Sequence, residues 1–193
     1  MGQAKHRRAQ IAGWKATLSP TEVQIAEAAQ HLLERFIEPD EATGMCYRMT
    51  FLLHLYLAER GIGTTPVVGY VNDGTDDAMI SHAWLGYEGR KTDLTLALAE
   101  RPDLNPLGEV LILDFPVRQG HKYTYHITKS EAATALEEKW LAQPRSAGVV
   151  LSKRTEHEMM AGLAQSRQRM RVYLDNAPDR LTYRFFSNML DRQ

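Results

Sequence analysis

The sequence predicts an α+β fold. Two helix-forming segments precede every β-forming one, the β-forming segments then follow one another across short turns, and the last third of the chain reads as helix again. An alternating strand–helix order, the mark of a parallel sheet, is not seen. At 193 residues the chain has the length of one domain, or of one domain with an appended helical segment. The divisions that follow are a basic arm at 1–18, an α+β core at 19–145 and a helical extension at 146–193 packed on that core.

The elements follow in order. The arm carries Lys5, Arg7, Arg8 and Lys15 with no acid, and reads as a frayed, solvated segment, with contact to an acidic partner as the other reading. Ser19-Pro20-Thr21-Glu22 has a capping serine, a proline suited to the first helical position and a glutamate that completes a capping box. Ile25, Ala29, Leu32 and Phe36 then recur at helical spacing to about Ile37, and Glu38-Pro39-Asp40 ends the run. After the loop from Pro39 to Gly44, a helix from about Met45 to Arg60 is apolar nearly all round, so other elements should cover it. Gly61 follows its last turn, where a left-handed residue commonly ends a helix.

Pro66 to Val71, Ile80 to Tyr87 and Arg90 to Leu96 read as three strands of an antiparallel meander, with Glu88-Gly89 as a tight turn. Val110 to Phe115 and Tyr123 to Ile127 read as two more. Thr128 and Glu131 form a second capping box for a helix to Gln143, and Pro144 marks its exit. Helices from about Lys153 to Leu174 and from Asp179 to Leu190 complete the chain.

Composition excludes several classes. Lys and Arg total 23 against 24 Asp and Glu, a net charge of −1, so a partner held mainly through nucleic-acid phosphates is not expected. No apolar run reaches the ~18 residues of a membrane span. The basic N-terminus has no long apolar stretch after it and does not read as a secretory signal. With one cysteine, Cys46, no intrachain disulfide forms, and a reducing, cytoplasmic setting is expected.

Cys46 is the first candidate for chemistry. Taken alone, a free cysteine reads as a small buried hydrophobe. At the start of a helix, however, unpaired amides and the positive end of the helix dipole favour the thiolate. The same amides can hold an oxyanion formed on an attacked carbonyl. Gly44, two residues earlier, lets a substrate approach the backbone closely, or simply lets the chain turn into the helix.

A histidine and an aspartate follow on neighbouring strands. With a two-residue turn at Glu88-Gly89, Tyr87 pairs with Arg90, Leu85 with Thr92 and Trp84 with Asp93. His82 and Trp84 share a face because side chains alternate, and Asp93 joins that face diagonal to His82, roughly 7–8 Å away at the backbone. An odd loop would put Asp93 on the other side. The set reads as a nucleophile (Cys46), a base (His82) and a carboxylate that orients the base (Asp93). The plainer reading is a half-buried sheet histidine and a surface acid near a turn.

Gly44-Met45-Cys46-Tyr47-Arg48, a long Leu-rich helix ending in Arg60-Gly61-Ile62, then Val67-Val68-Gly69-Tyr70, His82-Ala83-Trp84 and Asp93 together resemble the transglutaminase-like, papain-related superfamily. The compact cysteine-protease branch that includes the lasso-peptide maturation proteases is the most similar. The likeness runs from about Gly44 to Leu96. It implies a Cys-bearing central helix packed on an antiparallel sheet, and acyl chemistry at a peptide or protein amide through a thioester, without a cofactor. Carried over by position, Cys46 is the nucleophile, His82 the base and Asp93 the orienting acid, with Gly44, Met45 and Trp84 on the substrate and oxyanion side. The match departs from the pattern in three places: the interval from His82 to Asp93 is short, Leu94-Thr95 follows Asp93 where the family often has a proline, and Asp40 stands six residues before the cysteine, where many relatives carry an oxyanion-hole glutamine. An acid there would repel an oxyanion, so the loop must shift or another donor must serve.

Other chemistries fit less well. Among seven histidines, His157-Glu158 lacks the second histidine of a zinc-protease helix, and His121 and His126 differ in strand parity, so no metal site is expected. Asn72 to Asp77 lacks the late glutamate of a calcium loop. Arg167, Arg169 and Arg171 cannot all share one helical face, so a solvated helix is the default reading there. The expected function is therefore a cysteine-dependent amide hydrolase or acyltransferase, the alternative being an inactive binding or scaffold protein on the same fold.

Overall fold

A computed structural model of the chain describes residues 2–99 and 101–192. Met1 of the expected arm and Gln193 of the expected extension lie outside the described residues, as do the side chains of Lys5 and Arg8. The architecture is α+β, a four-stranded antiparallel sheet with seven α-helices among the described residues.

The arm differs from expectation. Gly2–Lys15 forms helix α1, and its end is fastened rather than frayed. The Trp14 ring stacks on Phe115 with centroids 4.5 Å apart, the Arg7 guanidinium lies over the same ring, and Lys15 donates to Gln30. A tryptophan in an otherwise polar segment supplies the apolar area that docks it.

Helix α2, Pro20–Leu32, has the predicted capping box: Glu22 N donates to Ser19 Oγ, and Ser19 N donates to Glu22 Oε2. A π-helical turn, Leu33–Ile37, continues it and buries Phe36 and Ile37. Helix α3 spans Cys46–Ala58, with ten of its thirteen residues buried, as its all-round apolar sequence requires.

The sheet consists of β1 (Thr65–Asn72), β2 (Ile80–Tyr87), β3 (Arg90–Thr92) and β6 (Thr124–His126), in the order β3-β2-β1-β6. Glu88 and Gly89 both have positive φ, 47° and 77°, which suits the tight hairpin turn between β2 and β3. The register pairs Tyr87 with Arg90 and Leu85 with Thr92. The expected pairing of Trp84 with Asp93 does not form. The β3 strand stops at Thr92 rather than Leu96, and the Asp93 backbone turns to pair with Leu111 instead. The segment expected as one strand from Val110 to Phe115 is a hairpin of β4 (Val110–Ile112) and β5 (Phe115–Arg118), because Leu113 and Asp114 take positive φ and reverse the chain. Gly69 sits where β1 passes beneath a ring: a Cβ there would lie 2.4 Å from His126 O and 2.8 Å from Trp84.

Helix α4 is Glu131–Leu141, capped by Ser130 rather than Thr128, with Ala133 N donating to Ser130 Oγ at 3.0 Å. Pro144 opens the next helix instead of only closing α4: α5 runs Pro144–Ala164 and lies against β1. The helix expected from Lys153 to Leu174 is broken at Ser166, whose hydroxyl caps α6 (Arg167–Asp175). Helix α7, Tyr183–Asp191, sends Phe186 edge-on against Phe36, and α6 and α7 both cover α3. No described helix is long and apolar enough to cross a membrane.

Candidate active site

Helix α3 begins at Cys46, after Gly44 at φ +66° and Met45 at φ −101°, ψ 10°. Its first intrahelical bond is Met49 N to Met45 O. The amides of Cys46, Tyr47 and Arg48 therefore lie in the turn that has no helical acceptors. Cys46 is half-buried and lies on a cleft of about 690 Å³.

His82 comes to this turn from β2. Because β3 ends at Thr92, the early part of β2 is not paired on that side, and α3 packs against β2. His82 Nε2 lies 2.6 Å from Asp93 Oδ2, and Cys46, on the same cleft, adds to the charge that favours the protonated ring. With Nε2 committed to Asp93, Nδ1 is the nitrogen left for sulfur. Both partners are buried, His82 at 5% and Asp93 at 2% exposure.

Asp93 is held from all sides. Besides His82, it accepts from Tyr125 Oη at 3.0 Å, Thr95 N at 3.1 Å and Thr95 Oγ1 at 3.2 Å. Burial alone would push its carboxyl up, but the His82 charge and these donors outweigh it and hold the group below the ordinary carboxylate value. The converse holds for His82. Burial opposes its charge, yet the Asp93 carboxylate and then Cys46 raise it above the ordinary imidazole value.

The remaining predicted residues divide. Gly44 and Met45 line the cleft beside Cys46. Trp84 does not: at 5% exposure it packs edge-on against Tyr125 and over Gly69, below the site, so its expected substrate role is corrected to packing. Parity puts it on the His82 face, but two residues along the strand carry it under the layer that Tyr125 supplies. Asp40 turns away from the cleft; it faces Arg180 Nη2 at 3.4 Å beside Phe36, Ala42 and Thr43 in a separate small cavity.

Sequence reasoning missed Tyr125 and Thr95 as the donors that hold Asp93. It also missed a second polar chain on the cleft: Tyr47 Oη lies 2.6 Å from Ser81 Oγ, which lies 2.5 Å from His157 Nδ1 on α5. The signals were slight. Tyr47 and Ser81 each sit next to a candidate residue, but His157 is 76 positions from Ser81. Further along, Lys129 and Arg154 both pair with Glu137 on the cleft wall. Among the described residues, no group of three or more His, Cys, Asp or Glu side chains is arranged to hold a metal ion.

Comparison with known protein families, with curated proteins and with solved structures finds no match to this chain.

Proposed function

We propose that this protein is a cysteine-dependent amide hydrolase or acyltransferase with a transglutaminase-like core, acting on a peptide or protein amide. The observation that supports this reading is the line Cys46–His82–Asp93 at the foot of a large cleft, with sulfur at a helix start and a buried carboxylate behind the imidazole.

The chemistry follows from those positions. His82 takes the thiol proton on Nδ1. The thiolate attacks the carbonyl carbon; a C–S bond forms as the carbonyl π pair moves to oxygen. The Cys46 amide, at the positive end of α3, offers that oxygen a hydrogen bond. The pair then returns, the C–N bond breaks, and the His82 proton goes to the departing nitrogen. Water or an amine attacks the thioester next, losing its proton to His82, and the thiolate leaves. Asp93 keeps the ring oriented and stabilises its charged form throughout. The exposed half of the cleft, with Trp140, Val149 and Ile80 on its walls, accommodates a chain-like substrate.

The test uses the single cysteine. Iodoacetamide near pH 6 should alkylate native protein rapidly at Cys46, and an activated ester such as p-nitrophenyl acetate should leave one acetyl group there by intact-mass analysis. Cys46→Ala should lose both products and keep its circular dichroism. His82→Ala should slow both reactions by at least tenfold. Alkylation of native protein no faster than that of a free cysteine peptide would sink the reading.

A further inference from the structure

The site as described has a nucleophile, a base and an orienting acid, but only backbone amide on the oxyanion side. Asp40, at the position where a side-chain donor is expected, faces Arg180 instead. The cleft also holds a buried phenol from the residue next to Cys46. Tyr47 follows Cys46 in α3, lines the same cleft and is 7% exposed. Between α3 and β2, Tyr47 Oη meets Ser81 Oγ at 2.6 Å, one residue along the strand from His82.

We propose that the Tyr47 hydroxyl is the side-chain donor to the substrate carbonyl oxygen, and that Ser81 and His157 are positioning residues that aim it. This rests on the cysteine-acyl reading above.

The hydrogen-bond chain explains how. Each hydroxyl has one hydrogen to give. When His157 carries its proton on Nδ1, it donates to Ser81 Oγ, Ser81 donates to Tyr47 Oη, and the phenolic hydrogen is left free for a ligand. A Tyr47 that donated to Ser81 would have nothing to offer. His157 is fixed for this task from two sides: its ring stacks on Tyr70 with centroids 4.3 Å apart at 19°, and Nδ1 meets Ser81 at 2.5 Å. Burial keeps the Tyr47 phenol well above its ordinary range, so it remains a donor at any working pH. Helix α5 is then part of the site, since it supplies His157.

Two reactions separate an oxyanion donor from a general prop. Alkylation by iodoacetamide displaces iodide at a saturated carbon and builds no oxyanion. Acylation by p-nitrophenyl acetate passes through one. In Tyr47→Phe, acylation should fall roughly a hundredfold, the usual size for one such donor, while alkylation changes less than twofold. His157→Phe keeps the stack on Tyr70 and loses the hydrogen bond; it should show the same selective loss, smaller, about tenfold. His157→Asn restores a donor near the Nδ1 position and should recover most of it. Equal losses in both reactions, or no loss in acylation, would overturn the assignment while leaving Cys46 as nucleophile. Slow alkylation of the native protein would instead remove the parent reading, and this one with it.

Discussion

Tyr125 donates to the same Asp93 oxygen that meets His82, at 3.0 Å against 2.6 Å, so one buried carboxylate oxygen serves two side chains from two different strands. Burial, and then the Asp93 charge, hold the Tyr125 phenol above its ordinary range, so it stays a donor. Tyr125→Phe keeps the ring against Trp84 and removes only this bond. The expected cost is about 2 kcal/mol of unfolding free energy, the scale of a buried hydrogen bond to a charged group. Cys46 alkylation should fall less than tenfold, because His82 and Thr95 still hold the carboxylate. An unchanged urea midpoint would show that the bond carries no net stability.

The His82–Asp93 pair gives stability a definite pH window. His82 is raised from 6.5 to about 10, burial opposing the charge and Asp93, then Cys46, overcoming it. Its contribution is therefore complete below pH 6.5 and is lost as pH rises toward 10. Asp93 is lowered from 3.8, again against burial, through His82 and the donors around it. Its contribution is present above 3.8 and is lost as pH falls through its depressed value. Urea midpoints of the wild type and Asp93→Asn should differ most near pH 5–6 and converge toward pH 10. A gap that does not vary over that range would count against the charged pair.

His54 acts in the opposite sense. Burial first, and then the charge of Arg167, lower it from 6.5 to about 4, and its Nδ1 is 2.9 Å from Thr64 Oγ1 in the loop between α3 and β1. The folded protein holds the neutral ring, so its contribution is present above pH 6.5 and is lost as pH falls toward 4. In His54→Gln the decline of the urea midpoint between pH 6.5 and 4 should be shallower than in the wild type. An equal slope in both would assign the acid limb to other groups.

Two glycines should respond oppositely to alanine. At Gly69 the added carbon meets a backbone oxygen and an indole ring, neither free to move. Gly69→Ala should cost about 3 kcal/mol or leave no soluble protein. At Gly13, inside α1, nothing lies within 4 Å, and Gly13→Ala should raise stability by about 0.5–1 kcal/mol. Thermal melts of the two variants give the comparison; similar behaviour would refute the packing account of Gly69.

Helices and turns with local signatures were legible. Ser19 and Glu22 announce α2, the unbroken apolar stretch announces α3, and Glu88-Gly89 announces the β2–β3 turn, because capping, burial and positive φ act within a few residues. Where non-local forces decide, the reading failed. Docking of Trp14 on Phe115 makes a helix of the expected arm. Leu113 and Asp114 reverse the chain although neither is glycine. Side-chain parity put His82 and Asp93 on one face, and they do touch, yet Asp93 arrives by pairing with Leu111 rather than with Trp84. The Tyr47–Ser81–His157 chain joins residues from α3, β2 and α5, and no local pattern marks such a meeting.

Asp93 follows β3 and takes its backbone partner from Leu111, in the middle of β4 in a separate hairpin. Its carboxylate is thus held in place from a second, two-stranded unit as well as from the main sheet. The place of Asp93 beside His82 therefore depends on where the β4–β5 hairpin lies, so a change in that hairpin can unseat the carboxylate without touching either residue.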